Sequence, residues 1–143
     1  MGEHTGALPE GRMASKMLAN SLSPCQGRDI KGPTAVVHSA TKFDHTLIGN
    51  GMVLNIKFHP TALNGEEGIK NFKDLIKIYF DMGGMEIQFN VVDRKILSDA
   101  RKNPGNYGDL VVRVSGFSAY FTRLSMELQD EIISRTEYSY IDS

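Results

Sequence analysis

Residues 52–92 read MVLNIKFHPTALNGEEGIKNFKDLIKIYFDMGGMEIQFNVV, and this stretch decides the fold. Apolar residues occupy every second position from Met52 to Phe58, which is the period of a β-strand with one apolar face. Pro60 is expected to end that strand. The same alternation returns over residues 85–92 and predicts a second strand.

The segment between these strands has the pattern of an amphipathic helix. Asn64 is the predicted N-cap, and Glu66 and Glu67 in the first turn favour the helix dipole. Gly83 and Gly84 supply the left-handed ending that helices commonly use. The apolar stripe, at a spacing of 3.6 residues, consists of Ile69, Phe72, Leu75, Ile76, Tyr79 and Phe80.

Further elements follow on the C-terminal side. A short helix is predicted from an Asp93 cap to Lys102, and a third strand, apolar on both faces apart from Arg113, over residues 110–114. Ser125 is expected to cap a last helix. Its predicted buried side consists of Leu128, Ile132 and Ile133. Strands alternating with helices indicate a parallel α/β architecture, and only three strands indicate a part of a larger barrel.

The N-terminal part has a different composition. Residues 1–33 are rich in Gly and Pro without an apolar period, so we predict a loop-rich segment there and a main domain over residues 34–143. Over residues 33–42 two structures remain open. Val36 and Val37 favour a strand, whereas Pro33 fits the first turn of a helix.

Composition excludes several classes of function. The chain has 143 residues, with 16 basic and 17 acidic residues and a net charge of -1, which argues against nucleic-acid or anionic-membrane partners. Cys25 is the single cysteine, which excludes an internal disulfide and fits a reducing compartment. The chain shows no apolar run of membrane-spanning length and no apolar signal-peptide core, so the expected location is the cytoplasm.

Most patterns that carry chemistry are weak in this sequence. The four histidines lack metal-ligand spacing on one element, and the glycines at 49 and 51 lack the third glycine of a dinucleotide loop. Residues 113–121, RVSGFSAYF, are unusual because an apolar and aromatic turn surrounds Gly116. Exposed turns favour Asn, Asp or Pro, so this loop is predicted to enter a protein interior.

The chain also resembles the glycyl radical enzymes, the family of pyruvate formate-lyase, over nearly its whole length. The blocks that carry the resemblance are NSLSP at 20–24, QG at 26–27, GPTAV at 32–36, KFDH at 42–45, GGMEIQFN at 83–90, RVSGF at 113–117 and QDEIISRT at 129–136. The resemblance implies an α/β barrel of which this chain is a part, with a C-terminal radical loop and helix.

The resemblance implies that Gly116 carries the radical. A separate radical-SAM activase, which holds an iron–sulfur cluster and S-adenosylmethionine, would remove a hydrogen atom from its Cα, and this chain would bind no cofactor itself. A planar Cα radical suits glycine because it has no Cβ. Gly108 and the bend near Gly116 are the expected hinges. Residues expected to support the loop are Arg113, Val114, Ser115, Phe117, Ser118, Tyr120 and Phe121, with Val114, Phe117 and Phe121 as its walls.

The family's thiyl cysteine, usually in a Gly-Cys-Val-Glu-like motif, is missing from this chain, and Cys25 is interpreted as a structural or incidental thiol. Activity alone is therefore not expected. The chain is interpreted as an autonomous glycyl radical protein that serves a complementary lyase. The alternatives are a C-terminal fragment or subunit of a full lyase, and a non-catalytic interaction module or remnant. With little to cover its sheet, the chain is expected to be marginally stable or to self-associate.

Overall fold

The computed structural model describes residues 2–9 and 11–141. Its described residues before the first helix form turns, with neither helix nor strand. The regular elements, in chain order, are α1 (Gly32–Ala40), β1 (Leu54–Phe58), α2 (Gly65–Asp81), β2 (Ile87–Val91), α3 (Arg94–Lys102), β3 (Val111–Arg113), β4 (Ser118–Tyr120), α4 (Met126–Ser134) and β5 (Glu137–Tyr138).

A parallel sheet with strand order β2-β1-β5 forms the centre of the fold. The register pairs Leu54 of β1 with Ile87 of β2, and Phe58 of β1 with both Val91 and Tyr138. The parallel β1–α2–β2 unit predicted from residues 52–92 is therefore confirmed. Both strands begin two residues later than expected, at Leu54 and Ile87.

The third predicted strand does not belong to this parallel sheet. Val111–Arg113 pairs antiparallel with β4, a strand that was not predicted, and the two form a separate hairpin. Val111 is 55% exposed, so this strand is not buried on both faces. The cause is the turn at Gly116, which reverses the chain and lets β3 pair with the residues that follow it. The third parallel strand is β5, Glu137–Tyr138, which is too short to show a period.

Residues 33–42, for which sequence left two structures open, belong mainly to helix α1. Pro33 lies in its first turn, where a missing N–H costs no hydrogen bond. Val36 and Val37 are buried in the first core rather than paired in a sheet.

Helix α2 begins and ends as predicted. Asn64 occupies the predicted N-cap position in an extended conformation, although its side chain makes no capping hydrogen bond. Leu75 and Tyr79 are buried, whereas Ile69 and Phe80 at the edges of the stripe are exposed. After the helix, Gly83 adopts a φ of +87°, and a Cβ at Gly84 would overlap the Tyr79 ring.

The two other predicted caps are confirmed. The Asp93 side chain accepts a hydrogen bond from the Lys95 N–H at 2.7 Å, and the Ser125 hydroxyl accepts from the Leu128 N–H at 3.4 Å. Leu128 itself was predicted to be buried and is 39% exposed. Ile132 forms the buried side of α4.

Two apolar clusters hold the chain together. The first joins the apolar face of β1 and β2 to α1 and α2, with Leu54, Ile56 and Phe58 at its centre. The second lies among α3, α4 and the β3–β4 hairpin, and it contains Leu97 and Phe121. Within the described ranges, no helix is both long enough and apolar enough to cross a bilayer.

Candidate functional site

Gly116 lies in the four-residue turn, Val114–Phe117, that joins β3 to β4. The Val114 N–H donates to the Phe117 carbonyl oxygen at 2.9 Å and closes the turn. Gly116 has a φ of +74°, a conformation that residues with a Cβ adopt only with strain. The turn therefore favours glycine on structural grounds, independently of any chemistry.

The Gly116 position is open to its surroundings in this chain. The residue is exposed, and among the described residues no heavy atom beyond its chain neighbours lies within 4 Å of the point where a Cβ would be. Phe117, predicted to wall the loop, is 52% exposed. The described residues therefore leave both Gly116 and Phe117 uncovered.

Polar side chains of β2 hold the hairpin from one side. Gln88 Oε1 accepts hydrogen bonds from the Gly116 N–H and from Arg113 Nε, each at 3.0 Å. Asn90 makes two hydrogen bonds to the Arg113 backbone: its Oδ1 accepts from the N–H and its Nδ2 donates to the carbonyl oxygen, both at 2.7 Å. Gln88 and Asn90 are buried, although the sequence pattern placed them on the polar face of a strand.

A second contact comes from the residue that follows helix α4. The guanidinium of Arg135 donates to the carbonyl oxygens of Val114 at 2.7 Å and Arg113 at 3.2 Å. The Glu131 carboxylate accepts from the same guanidinium, at Oε2 from Nη2 (2.9 Å) and at Oε1 from Nε (3.1 Å). Arg135 is buried, so its charge is compensated by the Glu131 carboxylate and by two peptide dipoles.

The N-terminal segment also contacts the loop. The Ser115 hydroxyl donates to Asn20 Oδ1 at 3.1 Å. The residues after Asn20 then run along β1, since Leu22 donates to the Val53 carbonyl oxygen at 3.1 Å and Ser21 Oγ accepts from the Val53 N–H at 3.0 Å. This part of the predicted loop-rich segment is therefore tied to both the sheet and the hairpin.

The other residues predicted to support the loop divide into two groups. Val114 and Phe121 are buried in the second apolar cluster. Ser118 accepts a hydrogen bond from Arg113 NH1 at 3.3 Å. Tyr120 is 43% exposed and carries the Arg123 guanidinium 4.9 Å from its ring centre, while Phe117 faces outward.

Lys57 connects the sheet to α4 beneath this site. Its buried Nζ donates to the Ile133 carbonyl oxygen at 3.2 Å and lies 3.7 Å from a Glu137 carboxylate oxygen. Burial lowers the pKa of Lys57 to about 8, and the charge of Glu137 offsets part of that effect. Lys57 thus fixes the end of the helix that Arg135 follows.

A cluster of potential ligands lies just beyond the carboxyl ends of β1 and β2 and at the first residue of β5. One ligand atom from each of His59, Asp93 and Glu137 falls within 4.8 Å of the others. His59 Nδ1 accepts from the Thr61 N–H at 3.2 Å, which leaves the proton on Nε2 facing Asp93 at 3.4 Å. Glu137 accepts from the Arg94 N–H at 2.7 Å. His59 therefore pairs with Asp93, and both Asp93 and Glu137 accept hydrogen bonds from the first turn of helix α3.

Sequence reasoning found the loop but missed the groups that hold it. Asn20, Gln88, Asn90 and Arg135 all lay in blocks that carried the family resemblance, yet none received a role. The available signal was the polar residue at every second position of β1 and β2. In a sheet covered on both faces, such residues need a buried polar partner.

The comparisons with known proteins agree with this geometry. Residues 18–122 match the family model described as "Glycine radical". The chain is 52% identical over 138 residues to indoleacetate decarboxylase of Tractidigestivibacter scatoligenes, and 48% identical over 139 residues to trans-4-hydroxy-L-proline dehydratase of Clostridioides difficile. The glycerol-bound B12-independent glycerol dehydratase of Clostridium butyricum superposes with a TM-score of 0.92 at 50% identity.

The chain spans only a small part of these relatives. The matches cover 96% of this chain but 16% of the decarboxylase, and 97% of this chain but 18% of the hydroxyproline dehydratase. For the glycerol dehydratase structure the shares are 96% and 17%. The fold is accordingly a small part of a much larger barrel, as the sequence predicted.

Proposed function

Because the chain belongs to the glycyl radical family, we propose that it carries a glycyl radical on Gly116 and supplies it to the active site of a larger lyase. The observation that carries this proposal is the turn itself. It presents a glycine at a φ of +74°, bonded through its own N–H to Gln88, on a hairpin held by Arg135.

Activation requires loss of one hydrogen atom from the Gly116 Cα. We propose that a separate radical-SAM activase accepts that atom together with its electron, using S-adenosylmethionine and its own iron–sulfur cluster. The exposure of Gly116 supports access by such a partner. The unpaired electron is then shared between the amide nitrogen and the carbonyl on either side of the Cα, which glycine permits because no Cβ crowds the planar centre.

The same exposure supports a partner that covers the loop during catalysis. Side chains of α2 that have no cover within the described ranges add to the argument, since Ile69 is 55% exposed and Phe80 is 49% exposed. We propose that a complementary lyase barrel covers both the exposed loop and the exposed apolar side chains of α2. That barrel would carry the thiyl cysteine that this chain lacks. When that barrel is absent, the same apolar surface favours self-association.

The chain is proposed to act as an autonomous glycyl radical protein in the cytoplasm, where Cys25 stays reduced. The second candidate is a C-terminal fragment or a subunit of a full-length lyase. The match to the decarboxylase favours this candidate, because it covers 96% of this chain but only 16% of that enzyme. Both candidates assign the same role to Gly116. The relatives decarboxylate indoleacetate or dehydrate hydroxyproline by name, so we propose a decarboxylase or dehydratase as the enzyme served.

The test is anaerobic activation followed by electron paramagnetic resonance. The full chain, mixed with a cognate activase, S-adenosylmethionine and a reductant, should give a glycyl doublet that disappears in air with cleavage at Gly116. Gly116→Ala should give no signal. The matched control is Gly65→Ala, which has a φ of +72° and equally open space, and should keep the signal.

Complementation then separates the candidates. The activated chain should restore turnover to a cognate lyase whose own radical glycine is replaced by alanine. Restored turnover supports the autonomous protein, whereas a radical without turnover supports the second candidate. Equal spectra from wild type and Gly116→Ala would reject the radical role and leave the non-catalytic module.

A further inference from the structure

We propose that Gln88 is the positioning residue of the radical glycine, and that release of this one side chain frees the Gly116 amide. The functional consequence rests on the proposed radical role of Gly116, whereas the geometry does not. Gln88 is 7% exposed and projects from the polar face of β2 toward the hairpin. Its Oε1 accepts from the Gly116 N–H and from Arg113 Nε, each at 3.0 Å.

The orientation of the Gln88 amide is determined by its partners. Gly116 N–H and Arg113 Nε are both donors, so the oxygen must face them. On the other side, Gln88 Nε2 donates to a carboxylate oxygen of Glu86, which accepts only. A reversed amide would oppose donor to donor and acceptor to acceptor. The three contacts therefore fix one orientation of the side chain.

Gln88 differs from the other groups that hold the hairpin. Asn90 bonds to the Arg113 backbone at the end of β3, and Arg135 bonds to the carbonyl oxygens of Arg113 and of Val114, the first residue of the turn. Within the part of the chain that the structure describes, Gln88 is the side chain that bonds to the Gly116 amide itself. Loss of the Gln88 contact would therefore free Gly116 while β3 stays in place.

This placement has a consequence for the proposed radical. Delocalisation onto the Gly116 nitrogen requires the preceding peptide plane to stay coplanar with the radical centre, and a bond to Gln88 restrains that plane. The bond between the Gly116 N–H and the Gln88 oxygen is neutral on both sides and contributes little net free energy, so opening of this bond is an accessible step.

The first test measures the contact without any radical. Amide hydrogen exchange at Gly116 is followed by NMR in the full chain for wild type and for Gln88→Met, which keeps the shape and removes the acceptor. The expected result is exchange about tenfold faster at Gly116. The control is Gln129→Met, since Gln129 is also 7% exposed but donates to the carbonyl oxygens of Phe121 and Leu124, away from the turn.

A double variant that exchanges the side chains at positions 86 and 88, called the swapped pair, tests whether the hydrogen-bond acceptor at position 88 determines the exchange rate of the Gly116 amide. The double variant Glu86→Gln, Gln88→Glu keeps an oxygen facing the turn and restores a donor–acceptor pair between positions 86 and 88. Gly116 exchange should return to the wild-type rate within about twofold, on the same hydrogen-bond reasoning. Equal Gly116 exchange in Gln88→Met and Gln129→Met would overturn the proposal, and so would a swapped pair that exchanges as fast as Gln88→Met.

The second test measures the radical and is read separately. After activation, Gln88→Met should lose its doublet faster than wild type during anaerobic storage, while Gln129→Met and the swapped pair should match wild type. Equal lifetimes in all four would overturn the positioning role. If wild type also forms no radical, the proposed function fails, but the exchange data still decide whether Gln88 holds the Gly116 amide.

Discussion

Both faces of the β1–β2 pair are buried, but they have different roles. One face presents Leu54, Ile56 and Phe58 to helices α1 and α2 and forms the first apolar cluster. The other presents polar side chains to the β3–β4 hairpin, helix α4 and the N-terminal segment. These side chains, all at most 7% exposed, are Asn55, Lys57, Gln88 and Asn90. The apolar face stabilises the fold through buried area, and the polar face positions a loop through directed hydrogen bonds.

This difference separates stability from function within one pair of strands. Apolar contacts are non-directional, so the first cluster tolerates small shifts of its neighbours. Hydrogen bonds fail beyond about 3.5 Å, so the polar face specifies one position of the hairpin. Substitutions on the first face should therefore unfold the chain, whereas substitutions on the second should loosen the loop and leave α2 folded.

The largest expected effect is on the apolar face. Phe58 is fully buried, with its ring 5.7 Å from that of Phe72 and 6.0 Å from that of Phe89. Phe58→Ala should lower the free energy of unfolding by about 3–5 kcal/mol, measured by denaturant titration, because it removes apolar contact and leaves a cavity. Phe80→Ala, at a 49% exposed position, should cost less than about 1 kcal/mol. Similar losses in the two variants would contradict the assignment of this face to the core.

The next effect is a pH dependence on the polar face. Burial lowers the pKa of Lys57 from 10.5 to about 8, so between these values the unfolded chain binds more protons than the folded chain. The free energy of unfolding should therefore rise with pH across this window, by about 3 kcal/mol from this group. Lys57→Met should lack that rise. Parallel stability curves for the two proteins between pH 8 and 10.5 would show that Lys57 titrates normally.

The same contrast explains what sequence could predict. The period of β1 and α2 reflects apolar residues that face a core, so these elements were located to within a few residues. Gln88 and Asn90 were assigned to a polar face without partners, because the hairpin that buries them lies more than twenty residues later in the chain. Strand β5 has two residues and carries no period. The alternation places these residues on one face of a strand, but it does not identify the distant residues that bond to them.

A smaller change in unfolding free energy is expected at two asparagines on the polar face, which can be compared with each other. Asn90→Ala removes two hydrogen bonds to the Arg113 backbone and should cost about 2 kcal/mol of unfolding free energy. Asn55 is equally buried, but its side-chain amide bonds to none of the described residues. Asn55→Ala should therefore cost less than about 1 kcal/mol, since it removes no side-chain hydrogen bond to those residues. Thermal unfolding of both variants tests the pair, and a larger loss in Asn55→Ala would contradict it.

The smallest effect concerns the link between the hairpin and the N-terminal segment. Ser115→Ala removes the hydrogen bond to Asn20, so the residues that run beside β1 should open more often. The reporter is the Val53 N–H, which donates to Ser21 Oγ at 3.0 Å. Its hydrogen exchange should quicken about threefold, as expected for the loss of one partly buried hydrogen bond.

Ser118→Ala is the matched control for this link, because Ser118 belongs to the same hairpin but accepts from Arg113 instead. Val53 exchange should remain at the wild-type rate in that variant. Faster exchange at Val53 in both variants would mean that the whole hairpin moves with the segment. The polar face would then act as one cooperative unit, and the separate role of each hydrogen bond would have to be abandoned.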